Sequence, residues 1–193
     1  MGNPLRDRCT AAELASVEQV IEIADKISSF ESLERIIEAD LAALDPDKMP
    51  LKWRESAVLG ILEFGFADVD RRIPRVSGRA TAVVAAVCQR CLEPFQLQLE
   101  VEPKLLLLGT DEAVDGFDEF EVWELDEPDM RPQDIVEELL IMAMPFSAMH
   151  DTIADCKAFE LAELSAEAND EKVLRPFASL RMQMKQNEKD PDE

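Results

Sequence analysis

The period of the apolar positions changes along the chain, and the predicted elements follow from it. Phe30, Leu33, Ile37, Leu41 and Leu44 recur every three or four residues until Asp45-Pro46 interrupts them, which predicts a helix over 29–44. Thr10-x-x-Glu13 and Ser28-x-x-Glu31 have the spacing of capping boxes, in which a hydroxyl and a carboxylate satisfy free N–H groups at a helix start. Leu14, Val17, Ile21 and Ala24 fit a helical stripe after the first box, while Val20 to Ile23 fits a short strand edge equally well. From Trp53 the period falls to two. Val58, Leu62, Phe64 and Phe66 share one face, and Asp68-Val69-Asp70 reads as a turn. Val76, Gly78, Ala80, Ala82, Val84, Ala86 and Cys88 then alternate, as do Phe95, Leu97, Leu99 and Val101 with Gln96, Gln98 and Glu100. Strands are therefore predicted at 53–67, 72–88 and 94–108. Phe120, Val122 and Leu125 suit a further short strand. Pro132 suits a first helical turn, and Ile135, Val136, Leu139, Leu140 and Ala143 supply an apolar face before Pro145, predicting a helix over 132–143.

These elements predict an α+β fold, an antiparallel β-meander packed by two or three helices. The expected division is an N-terminal helical segment at 1–50, a sheet-and-helix core at 51–156, and a remainder at 157–193. In that remainder Phe177, Leu180 and Met184 mark a short amphipathic helix, and the tail after Gln186 reads as disordered. A chain of 193 residues with 47% hydrophobic content has material for one core and little room for two. No apolar run approaches the roughly 18 residues of a spanning helix, and Met1 to Arg6 lacks a secretory pattern, so a cytoplasmic location away from membranes is expected.

Charge narrows the function. The formal net charge of -22 opposes docking of the whole surface on a phosphate backbone. Its distribution says more. Residues 111–138 carry a net of -12, whereas residues 48–90 and 172–187 each carry +4. Direct RNA contact would therefore fall to Arg72, Arg75, Arg79, Arg181 and Lys185; alternatively the arginines neutralise the acidic segment. That segment itself suits a basic protein partner, or it is a solvated face.

Candidate chemistry is narrow. A single histidine excludes any two-histidine site, and neither a Walker-type glycine loop nor an EF-hand loop is present. Four cysteines are too few for a disulfide scaffold. Cys88 and Cys91 form a Cys-x-x-Cys pair between two predicted strands, hence at a hairpin tip. With His150 and Cys156 they make three thiols and one imidazole, a set that suits tetrahedral structural zinc. Idle thiols beside a surface histidine are the competing reading. Redox chemistry fits less well, because a strand rather than a helix N-terminus flanks the first thiol. No triad or acid-base pair stands out, so an enzyme is not expected.

Cys88-Gln89-Arg90-Cys91 with Pro94-Phe95, then Val136-Glu137-Glu138-Leu139-Leu140 with Pro145, His150 and Cys156, then Pro176-Phe177-Ala178-Ser179-Leu180, together resemble the YceD family. The resemblance spans roughly residues 52–182, with Arg175 in place of the usual Asn before Pro-Phe. It implies a role in the synthesis, processing or stability of large-subunit (23S) ribosomal RNA, without an established catalytic activity. It also implies an rRNA precursor or a large-subunit assembly intermediate as partner. A zinc-dependent RNA-processing enzyme and an acidic holder of a basic ribosomal protein are the alternatives.

Overall fold

The computed structural model describes residues 3–110, 112, 114 and 116–156. The helix and tail expected within 157–193, with Arg181 and Lys185, lie outside the described residues. In chain order the elements are β1 (Cys9–Thr10), α1 (Ala11–Ser16), β2 (Val20–Lys26), α2 (Glu31–Leu41), β3 (Ala57–Phe66) and β4 (Pro74–Val87). There follow β5 (Pro94–Val101), β6 (Lys104–Gly109), β7 (Glu121–Leu125), β8 (Asp129–Met130) and α3 (Pro132–Met142). The fold is α+β, as the periodicities predicted.

Strands β2, β3, β4 and β5 form an antiparallel meander. The predicted strand at 94–108 is split in two. Pro103 has no N–H to give to a ladder, so pairing stops at Val101 and resumes at Lys104 on the same edge of β4. The register is unchanged across the gap, since Ala80 faces Val101 and Ser77 faces Lys104, and Gly78 N–H donates to the Pro103 carbonyl at 3.2 Å. Strand β7 departs from the meander by lying parallel to β6, with Leu105 opposite Glu121. Strands β3 and β4 approach so closely that a Cβ on Gly78 would lie 2.0 Å from the Ile61 carbonyl oxygen.

The N-terminal fifty residues are not helical throughout. The Thr10–Glu13 capping box forms in both directions, but α1 ends at Ser16 and the chain turns through Glu18 at positive φ into β2. The strand alternative at Val20 to Ile23 is thus the one adopted: Ile21 and Ile23 are buried against β3. The Ser28–Glu31 box does not form. Residues Ile27–Ser29 make a 3-10 turn that buries Ile27, and Phe30, also fully buried, becomes the N-cap without a side-chain oxygen. Glu137 of α3 compensates, its Oε1 accepting the N–H groups of Ser32 at 2.5 Å and Leu33 at 3.0 Å. One helix is therefore capped by another.

Leu33, Ile37 and Leu41 of α2, Ile135, Val136 and Leu140 of α3, and Val58, Leu62, Val76, Ala82 and Leu99 of the sheet join one buried cluster. Each such Leu, Ile or Val side chain contributes about 1.5–3 kcal/mol by leaving water. Among the described residues no helix is long and apolar enough to cross a membrane.

Candidate metal centre

Strands β4 and β5 are joined by residues 88–93, closed by Cys88 N–H to the Glu93 carbonyl at 3.0 Å and Leu92 N–H to the Cys88 carbonyl at 2.8 Å. Leu92 takes a left-handed conformation to complete the turn. The turn is held from two sides. Asp40 of α2 accepts the Val87 N–H at 2.9 Å, and Lys48 pairs with Glu93 at 2.5 Å. From the other side Gln89 N–H donates to the Ala148 carbonyl at 2.8 Å, tying the turn to the segment after α3.

That tie brings His150 and Cys156 to the hairpin. The ligand atoms of Cys88, Cys91, His150 and Cys156 all lie within 4.8 Å of one another. Cys88 Sγ is 3.9 Å from Cys156 Sγ, and His150 Nδ1 is 3.5 Å from both Cys91 Sγ and Cys156 Sγ. A tetrahedral zinc site with Zn–S near 2.3 Å and Zn–N near 2.0–2.1 Å has S–S edges of roughly 3.8 Å and S–N edges of roughly 3.5 Å. Three of the six edges match these values, and none exceeds 4.8 Å. The Cys-x-x-Cys hairpin tip, expected from the sequence, is where the structure has it, and the geometry is compatible with a metal site.

The local field favours deprotonated sulfur at one ligand. Burial pushes the Cys88 thiol up, but the N–H groups of Cys91, His150 and Arg90, with the His150 ring, outweigh it and lower its pKa from 9.0 to about 6. The Cys156 thiol is pushed up, by burial first and then by Cys91 and Cys88. Three thiolates and a neutral imidazole around a divalent ion leave one negative charge, and Arg90 Nη1 lies 3.7 Å from Cys156 Sγ. The Phe95 ring sits 4.8 Å from the imidazole and limits its rotation. Arg90 and Phe95 were not singled out as site residues. Their signal was their place inside the Cys-x-x-Cys and Pro-Phe motifs.

The structure places the expected RNA-contacting arginines on the β3–β4 hairpin and its sheet face, each engaged by neighbours. Arg72 pairs with Asp70 at 3.1 Å and Asp68 at 3.6 Å. Arg75 donates to the Phe66 carbonyl at 3.3 Å and to Ser77 Oγ at 2.9 Å. Arg79 pairs with Glu100 and, at 3.9 Å, with Glu102.

A family model described as large ribosomal RNA subunit accumulation protein YceD matches residues 76–191, which include the hairpin and all four candidate ligands. The chain belongs to the YceD family. No curated protein and no solved structure matches it. The matched span begins inside β4, so α1, β2, α2 and β3 lie before it. One of those elements nevertheless holds the YceD-type hairpin directly: Asp40 of α2 accepts the Val87 N–H, while β3 pairs with β4 over Pro74–Ala82, short of the tip.

Proposed function

We propose that this YceD-family protein is a non-catalytic cytoplasmic factor in the accumulation of large-subunit ribosomal RNA, with a structural zinc ion fixing its β4–β5 hairpin tip. The family description carries the biological half of this reading. The donor set carries the chemical half. Four protein ligands, Cys88, Cys91, His150 and Cys156, fill a tetrahedral shell, whereas a catalytic zinc keeps a position for water or substrate. Zinc held in this way supplies folding energy and no reaction, which argues against the zinc-dependent RNA-processing enzyme. The ion would join the hairpin to the segment after α3, two parts of the chain 59 to 68 residues apart that otherwise meet through the Gln89–Ala148 hydrogen bond, the Phe95–His150 ring contact and weak sulfur contacts.

The partner in this reading is an rRNA precursor or a large-subunit assembly intermediate. Phosphate contact falls to Arg72, Arg75 and Arg79; Arg72 and Arg79 must exchange their present carboxylate partners for phosphate, and Arg75 its bonds to the Phe66 carbonyl and Ser77, so binding is weak and salt-sensitive. A second reading, in which the acidic segment holds a basic ribosomal protein, is favoured by the net of -12 over residues 111–138. Depletion followed by rescue tests the proposal. Loss of large-subunit rRNA and of mature large subunits is expected, restored by the wild-type chain and poorly by Cys88→Ser. Cleavage of precursor RNA by the purified protein alone would overturn the non-catalytic reading.

A further inference from the structure

Between α3 and the edge strand β7 the surface opens into two adjoining cavities, of about 320 and 460 Å³, that share Leu105, Glu121 and Leu139. The floor is apolar: Leu105 is buried, Trp123 and Leu139 are half-buried, and Val122 and Met142 are 51% and 62% exposed. The rim is acidic. Glu121, Glu124, Asp126 and Glu138 line the larger cavity, and Glu102 and Glu119 the smaller one, against Lys104 alone. Among the described residues Glu121, Glu124, Asp126 and Glu138 take part in no ion pair. An exposed apolar floor inside a ring of like charges is doubly unfavourable, and a cationic amphipathic segment relieves both terms.

The chain carries such a segment. Residues 172–187 contain Lys172, Arg175, Arg181 and Lys185 with no acid, and their apolar positions include Phe177, Leu180 and Met184 at spacings of three and four. Elsewhere the only basic island is residues 48–90, whose Arg72 and Arg79 are already paired. Reach is sufficient. The described chain ends at Cys156 beside the tip of β4, and the groove lies near the other end of that strand, about 36 Å away at roughly 3.3 Å per residue. Fifteen residues separate Cys156 from Lys172 and span up to about 50 Å when extended.

We infer that this groove is the docking site of the chain's own residues 172–187. The apolar positions Phe177, Leu180 and Met184 cover Trp123, Leu139 and Met142, and the flanking bases meet the rim carboxylates. In the docked form Arg181 and Lys185 face carboxylates instead of phosphate, and a basic protein reaches the groove only by displacing the segment.

Zero-length carbodiimide coupling of the full-length protein, read by mass spectrometry, tests this, because it joins a lysine only to a carboxylate in contact with it. Lys48–Glu93, paired at 2.5 Å, is the internal control. Expected are links from Lys172 or Lys185 to Glu121, Glu124, Asp126 or Glu138 within one chain, lost in a Phe177→Asp/Leu180→Asp variant that retains Lys48–Glu93. That variant should also expose the β7 amides to faster hydrogen exchange. Three results would overturn the inference. The control link forms but Lys172 and Lys185 reach none of the four acids. The links join chains of different isotope label, making a second copy the occupant. Poly-lysine binds the wild-type and variant chains equally well, leaving the groove open to an external basic partner.

Discussion

At Cys88 three backbone N–H groups converge on one sulfur, and that arrangement decides its protonation state. In zinc-free protein the Cys88 thiolate forms near pH 6, well below its ordinary 9.0, while Cys156 titrates above its ordinary value. Raising the pH therefore produces ultraviolet thiolate absorbance in separate steps, and Cys88→Ser should remove the lowest one. An unchanged low step would assign it to another thiol. The same sign governs metal binding, since zinc displaces protons from its ligands, and affinity should fall steeply as the pH drops through about 6. The four ligand types were legible because Cys-x-x-Cys is a local spacing and His150 is the one histidine. Their meeting was one of two readings left open by the residue types, and the contact that brings it about, the hydrogen bond between Gln89 and Ala148, has no local signal. The ion pairs of Arg79 were hidden for a related reason: they arise from the register that places β5 beside β4. If these arginines touch RNA, Arg75→Ala/Arg79→Ala should flatten the slope of log affinity against log salt by about 0.7 to 0.9 for each phosphate no longer neutralised. A slope identical to wild type, with affinity intact, would clear them.

Elements were read well where one period dominated. The meander strands β3, β4 and β5 and the helices α2 and α3 lie where alternation or three-four spacing put them. The misreadings came from interactions distant in sequence. Ser28 has the right spacing for a cap, but burial of Ile27 and Phe30 shifts the helix start and hands capping to Glu137. Glu137→Ala should therefore cost about 1–2 kcal/mol in chemical denaturation by leaving the Ser32 and Leu33 donors unpaired, and Glu137→Gln should recover part of it. No change on removal would mean that water replaces the cap fully. Strand β7 was expected only as a short strand, and its parallel pairing with β6 was beyond local pattern. Gly78 looked like one more small residue in an alternating run. Its role is the close passage of β3, so Gly78→Ala must push the strands apart and should destabilise by at least about 1–3 kcal/mol in the same assay.

For the molecule as a whole, the buried cluster runs from Leu5 to Leu140, so the region before the family match and the region within it share one core. The hairpin tip stands outside that cluster: Cys88 and Cys156 are buried, but Leu92, Phe146 and Ile153 around them are 64%, 112% and 65% exposed. A tip with so little apolar cover needs another source of order, and in this account the source is zinc. Chelation should then raise hydrogen exchange in residues 88–95 and 148–156 while leaving the amides of α2 protected. The most direct measurement is zinc X-ray absorption on full-length protein purified without chelator. One zinc per chain is expected, with three sulfurs at about 2.3 Å and one nitrogen at about 2.0–2.1 Å, lost in Cys88→Ser/Cys156→Ser. Less than a tenth of an equivalent of zinc, or a shell dominated by water oxygen, would contradict it.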